Sequence, residues 1–227
     1  MNHCRALSVL VVSSMMFACS SDDSPEVASG NDNGLGIPAG TYSVDKSHAY
    51  LTFSYRHQGL SYPLLRARGI DGELILDPDA MENTQVSIVV DPATIRSNTD
   101  YFDKELTSPK FFNVAKYPHI LFTADSYEAI SESEGAMTGQ VTIRGITKPL
   151  ILTVTINGAM INPITSKPVI GISAAGYVLR SDFGMDRFVP AVADRVDLTM
   201  EVEFELGSNA EGAASANLAR AIADNRS

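Results

Sequence analysis

Three features of this 227-residue sequence predict an all-β fold, an eight-stranded antiparallel barrel with short helices in a 91–118 insertion. Apolar and polar residues alternate with period two along about eight segments. Glycines stand inside several of those segments, at Gly72, Gly139 and Gly176, where tight bends or close backbone approach suit them. The alternation has one long interruption, at 91–118. Strict alternation gives each strand one buried and one wet face. Closing eight such strands turns the apolar faces inward and removes exposed edges. A two-sheet sandwich would carry the same alternation; the barrel is preferred because it has no edges to protect.

The strands follow in order. Leu51, Phe53, Tyr55 and His57 share a face opposite Thr52, Ser54 and Arg56. Ile70, Gly72, Leu74 and Leu76 oppose Asp71 and Glu73, and Val86, Ile88 and Val90 oppose Gln85 and Ser87. Ile120, Phe122 and Ala124 oppose Thr123 and Asp125; Met137, Gly139, Val141 and Ile143 oppose Thr138, Gln140 and Thr142. Leu150, Leu152, Val154 and Ile156 oppose Thr153 and Thr155. Ile170 to Val178 and Val196 to Phe204 complete the set, the last opposed by Asp197, Glu201, Glu203 and Glu205. In the insertion, Thr99 is a plausible N-cap for a helix over Tyr101 to Leu106. Ser108-Pro109 reads as a cap and first-turn proline for Lys110 to Phe112. These helices form either a lid over the barrel mouth or a plug at one end.

Residues 1–18 read as an export signal, with Arg5 in the n-region and an apolar stretch from Ala6 to Phe17. Met16-Phe17-Ala18-Cys19 resembles a bacterial lipobox, in which the cysteine is lipidated and becomes the N-terminus. The alternative is an ordinary secretory signal with Cys19 near its cleavage site. Ser20 after the cysteine favours the outer membrane by the same resemblance. Residues 19–40 read as a solvated tether, 41–206 as one domain and 207–227 as a flexible tail. Cys4 leaves with the signal, so the mature chain has one cysteine and no internal disulfide.

The formal charge is −10, and the sequence has no basic stripe, which argues against nucleic acid as a partner. No apolar run reaches the roughly 18–20 residues of a spanning helix. Motifs of catalysis are scarce. His48 and His57 lie nine apart on one predicted strand, and the odd spacing puts them on opposite faces, which argues against a shared metal. No HExxH, CxxC, P-loop or GxGxxG is present, so no metal site or cofactor is expected. Ser173 only approaches a nucleophile elbow and reads as a strand residue. Asp45 with His48, and Arg180 with Asp182, read as local networks, with ligand contact the alternative.

An ordered set of motifs runs through the domain. Tyr42-Ser43-Val44-Asp45 and Ser47-His48 are followed by Phe53 and His57, then by Asp103-Lys104-Glu105-Leu106. Lys110-Phe111-Phe112-Asn113-Val114, Tyr117-Pro118 and Phe122 come next. Thr142-Ile143-Arg144-Gly145-Ile146-Thr147-Lys148-Pro149 and Arg180-Ser181-Asp182-Phe183-Gly184-Met185 close the series. In this order they resemble the YceI-like family of bacterial envelope proteins, lipocalin-like barrels that bind polyisoprenoid and related amphiphilic lipids. Tyr42 stands where the family often has Trp, and Glu105 where it often has His.

The resemblance implies a carrier or store, not an enzyme, with an isoprenoid lipid or quinone as ligand in the lumen. By strand parity and this resemblance, Leu51, Phe53, Tyr55, Ile120, Phe122, Val141, Leu152, Val154, Leu198 and Met200 are expected to line it. Phe102, Leu106, Phe111 and Phe112 are expected to border the mouth, with Arg144 and Arg180 as head-group partners. Membrane attachment through lipidated Cys19, a periplasm-facing location and pairing with a second copy complete the expectations. Two rival readings stand beside them. One is an enzyme acting on a bound isoprenoid lipid, with His57 as its best internal group. The other is a self-filled barrel that binds a protein through Glu201, Glu203 and Glu205.

Overall fold

The computed structural model describes residues 34–207 and, beyond that run, Ala223. The expected export signal (1–18), Cys19, the rest of the expected tether up to residue 33, and residues 208–222 and 224–227 of the expected tail lie outside the described residues. The strands are β1 (Gly40–His57), β2 (Leu64–Ala67), β3 (Gly69–Leu76), β4 (Gln85–Asp91), β5 (Ile120–Ala129), β6 (Glu134–Ile143), β7 (Ile146–Ile161), β8 (Pro168–Leu179) and β9 (Val192–Leu206). Neighbours pair antiparallel in the order β2-β1-β3-β4-β5-β6-β7-β8-β9. β9 then returns to β1 along a ladder from Tyr42–Leu206 to His57–Val192, which closes the sheet. β2 and β3 are parted only by Arg68 and pair with successive stretches of β1. They form one interrupted stave, so the closed barrel has eight, as the alternation predicts.

The alternation is broken inside three strands by bulges, each of which swaps the inward parity. In β1, the register jumps between Val44 and Ala49, so Asp45 to His48 lie opposite the single residue Glu203. Tyr42 and Val44 point inward before the bulge; Ala49, Leu51 and Phe53 do so after it. β5 slips at Asp125, moving the inward face from Ala124 to Tyr127. β7 slips at Asn157.

The helix α1 (Asp100–Thr107) begins where the cap signal places it, and the Thr99 Oγ1 accepts a hydrogen bond from the Phe102 N–H at 3.3 Å. No second helix follows at Lys110 to Phe112. The segment is a set of turns, with Phe111 N donating to Ser108 O and Phe112 N to Leu106 O, both 3.0 Å. Ser108 closes α1, its hydroxyl donating to Glu105 O at 2.6 Å, and caps the next turn by accepting from Lys110 N–H at 3.3 Å, but that turn does not continue as a helix.

The barrel has two unlike ends. One end is packed solid by Tyr42, Leu74, Leu76, Ile170 and Phe204, each almost wholly buried. Ile37 is fully buried there, and Pro38 O accepts a 2.6 Å hydrogen bond from the Tyr42 hydroxyl. The packed domain therefore reaches back past the expected boundary at 41, because an apolar residue in the tether has a core to enter. At the other end run α1, the turns after it, the 58–63 loop and the 180–191 loop. Among the described residues no helix is long and apolar enough to cross a membrane.

Candidate functional site

Between the packed floor and the loops of the far end lies a cavity of about 400 Å³. That falls within the roughly 300–1,000 Å³ typical of small-molecule sites. Leu51, Phe53 and Tyr55 from β1, Ile120 and Phe122 from β5, Val141 from β6, Leu152 from β7, and Leu198 and Met200 from β9 line it. Phe102, Leu106, Phe111 and Phe112 close over it from the insertion. The lining stops short of Tyr42, Leu74, Ile170 and Phe204, so the floor is core and the upper half is hollow.

Strand parity chose wrongly at one lining position. Val154 is buried but does not line the cavity; it lies toward the packed end of β7. Further lining residues went unnamed. Ile143 and Val196 carry the same parity signal on the same strands, and Val90 and Val178 carry it on β4 and β8. Leu65 lies on β2, which is too short to show a period, and Met185 and Phe188 come from a loop.

The lining is nearly all carbon. Its polar side chains are Tyr55, His57, Arg180 and Arg187. Burial pushes the Tyr55 phenol up, against the opposing pull of the Arg180 charge, so it is a neutral hydroxyl at physiological pH. Arg180 is itself buried, and desolvation draws its guanidinium down. Its N–H groups donate to four backbone carbonyls, those of Ala193 (2.9 Å), Met185 (2.5 Å), Arg187 (2.8 Å) and Val192 (2.8 Å). Arg180 borders the cavity, yet four of its five N–H donors are spent on fixing the 185–193 loop. That leaves it poorly placed to serve a head group. Arg144 does not reach the cavity. It occupies the β6–β7 turn and donates to Gly184 O at 2.9 Å, tying that turn to the neighbouring loop.

The insertion is held by its own polar contacts. The Asp103 carboxylate accepts from both the backbone N–H and the hydroxyl of Ser97 at 2.6 Å, and these bonds hold it below the usual carboxylate range. Glu105 pairs with Lys110 at 3.2 Å and faces away from the lumen. The Asp-Lys-Glu-Leu motif thus positions the lid: Asp103 staples it, Glu105 closes the following turn and Leu106 enters the cavity wall.

Asp45, His48 and Ser173 lie on the outer wall. Asp45 and His48 meet at 2.7 Å within the β1 bulge, and His48 lies 3.8 Å from Glu203. Among the described residues these three bring potential ligand atoms within 4.8 Å of one another, a grouping the sequence reading did not foresee because it needs the bulge. His57 lines the cavity, on the opposite side of the wall from His48. Ser173 is a β8 residue, hydrogen-bonded to Asn157 and Glu201 on the outside of the barrel.

The model of the YceI-like domain family matches residues 42–204. The chain belongs to the YceI-like family. It is 30% identical over 167 residues to Protein YceI of Escherichia coli O6:H1, covering 73% of this chain and 86% of that protein. Protein YceI of Salmonella arizonae is 29% identical with the same coverage. Among solved structures, the YCEI protein of Campylobacter jejuni has 28% identity and a TM-score of 0.59, covering 63% of this chain and 85% of that one. BcnA of Burkholderia cenocepacia superposes with a TM-score of 0.64 at 15% identity, covering 70% of this chain and 98% of that one. A polyisoprenoid binding domain from Saccharophagus degradans gives 0.58 at 11% identity, covering 73% and 98%. The last two are likenesses of fold.

Proposed function

We propose that this YceI-like chain binds an isoprenoid-type lipid or quinone, tail in the cavity and head at the mouth. It carries or stores that lipid in the bacterial envelope, tethered to the outer membrane through lipidated Cys19. The observation that carries this reading is the hollow, carbon-lined upper half of a barrel whose lower half is packed. A self-filled barrel would leave no such space. The polyisoprenoid binding named for the Saccharophagus degradans domain of like fold supports the same ligand class. Energetics allow it without specific polar contacts. Each buried methylene contributes about 0.8 kcal/mol, so a tail of about 15 carbons gains roughly 12 kcal/mol. That is comparable to the estimated cost of association, about 4–15 kcal/mol.

The test is purification from a bacterial envelope followed by native mass spectrometry and solvent extraction. A stoichiometric isoprenoid is expected in the parent protein. Leu152→Trp on β7 and Leu198→Trp on β9, which fill the cavity from the two strands flanking β8, should lose it while keeping the β-sheet circular dichroism. Clean apo protein that also refuses added quinones and polyprenols would overturn the reading.

A further inference from the structure

The fold sorts charge in a way the linear sequence hides. The mouth end is built from residues 56–68, 91–119, 143–148 and 179–195, the strand ends and loops around the opening. These segments hold twelve Lys and Arg against seven Asp and Glu. The remainder of 34–207 holds two basic residues, Lys46 and Lys167, against fourteen acidic ones. A chain of formal charge −10 thus presents a net-basic mouth above a strongly acidic wall and floor, with the mouth's Arg195 paired to Asp197 of the wall at 2.7 Å. Arg56, Arg66, Arg96, Lys104 and Lys116 are exposed, so this charge faces solvent.

The same end exposes large apolar side chains around the opening. Leu60 (84% exposed) and Tyr62 project from the 58–63 loop, Phe188 (58%) from the adjacent loop, and Tyr101 (75%) from α1. Gln58 N donates to Ala191 O at 3.0 Å, which joins the first two loops into one rim. Apolar exposure alone does not distinguish the ends, because Ile164 is 91% exposed at the floor. Charge does: Ile164 stands at the acidic end, whereas the rim residues stand among cations.

We propose that the mouth rim is a docking face for an anionic bilayer surface. Exposed aromatic and aliphatic tips enter the headgroup boundary while Lys and Arg meet lipid phosphates. The acidic floor does not oppose this. β9 alone is 15 residues, roughly 50 Å along its axis, and surface charges are screened beyond about 8 Å at physiological salt. Docked this way, the barrel opens directly onto the lipid phase. The purpose of the face rests on the carrier reading; its existence is measured without cargo.

The test uses the full chain with Cys19→Ser, which removes the acylation site, floated with phosphatidylcholine vesicles with and without phosphatidylglycerol. Flotation is expected with the anionic vesicles and should fall as salt rises. Arg56→Gln and Lys104→Gln should each weaken it about fivefold. Leu60→Ser with Tyr101→Ser should abolish it, and Ile164→Ser should leave it unchanged. These positions are exposed, and circular dichroism checks each fold; the charge variants decide the matter if the rim pair fails to fold. Equal flotation on neutral vesicles, or parent-like flotation of the charge and rim variants, would overturn the proposal. So would a vesicle-free dimer that the rim variants dissociate, since a second copy would then cover the rim. Protein without extractable lipid that still floats through its rim refutes the carrier reading alone. Lipid-loaded protein that does not float refutes the docking face alone.

Discussion

Phe102 of α1 and Phe111 of the following turns meet edge to face, ring centroids 5.7 Å apart and planes at 89°. Both rings line the cavity, so this pair is at once a packing contact and part of the lid. Such pairs contribute about 0.5–1.5 kcal/mol beyond the area they bury. A double-mutant cycle with Phe102→Leu and Phe111→Leu should give a coupling energy in that range by urea denaturation. Either substitution should also speed the exchange of bound lipid, measured by fluorescent-analogue dissociation. Independent effects of the two substitutions would show that the rings do not hold the lid together.

Arg180 is a buried strut whose charge is distributed over four carbonyls. Hydrogen bonds from a charged group contribute roughly 1.5–3 kcal/mol each, and an unpartnered buried carbonyl costs more than an exposed one. Arg180→Ala should therefore destabilise the domain by at least about 3 kcal/mol. Lysine cannot replace the planar fork, so Arg180→Lys should recover less than half of that. Hydrogen exchange should locate the loss in residues 185–193. A loss below about 1 kcal/mol would reassign Arg180 to the ligand, where its removal would affect binding alone.

The contrast between Arg180 and Phe53 shows what was legible. Phe53 is one of a series of inward residues on a long alternating strand, and period two placed it correctly. The eight staves and the helix cap at Thr99 were readable for the same reason: each is a local rule repeated or a cap of known chemistry. Arg180 depends on loop carbonyls whose position no local rule supplies. The bulges are a middle case. At Asp45–His48 the inward parity changes from Tyr42 to Leu51, and a bulge that sets four residues against one reads in sequence only as two shorter patterns out of phase. The basic mouth was invisible because its charges come from four separated segments.

The β1 bulge should be sensitive to pH. The Asp45 hydrogen bond, and then the Glu203 and Asp45 charges, raise the His48 imidazole above its ordinary value. Burial pushes Asp45 up, but the bonds from His48 and Ser47 outweigh it and leave the carboxyl below its usual range. The signs define a window. The His48 contribution is fully present below about pH 6.5 and is lost as pH rises through its raised value. The Asp45 contribution is present above about pH 4 and lost as pH falls through its lowered value. The bridge is therefore intact between these limits. NMR titration should place His48 above 6.5, and Asp45→Asn should bring it down. A midpoint unchanged by that substitution would remove the bridge as its cause.

Gly139 shows why an inward strand position is glycine. An added Cβ would lie 2.3 Å from Thr123 O and 2.6 Å from the Ala124 Cβ, beside the β5 bulge. Neither atom can swing away, since one is backbone and the other has no rotamer. Gly139→Ala should cost about 1–3 kcal/mol through forced separation of β5 and β6. Gly171→Ala, whose Cβ would meet nothing nearer than 3.8 Å, is the matched control and should change stability little. Equal costs at both sites would mean that the close approach at Gly139 does not set its cost.

Tyr42 links the floor to alkaline stability. Its ring is wholly buried, its hydroxyl donates to Pro38 O at 2.6 Å, and burial pushes the phenol up to about 12. The unfolded phenol ionises near 10, so the folded state resists losing this proton. The resulting stability is complete below about pH 10 and is lost as pH rises toward 12 and beyond. Burial also raises the Tyr55 and Tyr127 phenols, so several groups share the slope. Tyr42→Phe should cost about 1 kcal/mol at pH 7 from the lost hydrogen bond. It should also flatten the fall in stability above pH 10, because one fewer proton is released on unfolding. Urea denaturation at pH 7, 10 and 11 measures both. A slope as steep in Tyr42→Phe as in the parent would show that the floor stays closed without reference to this phenol.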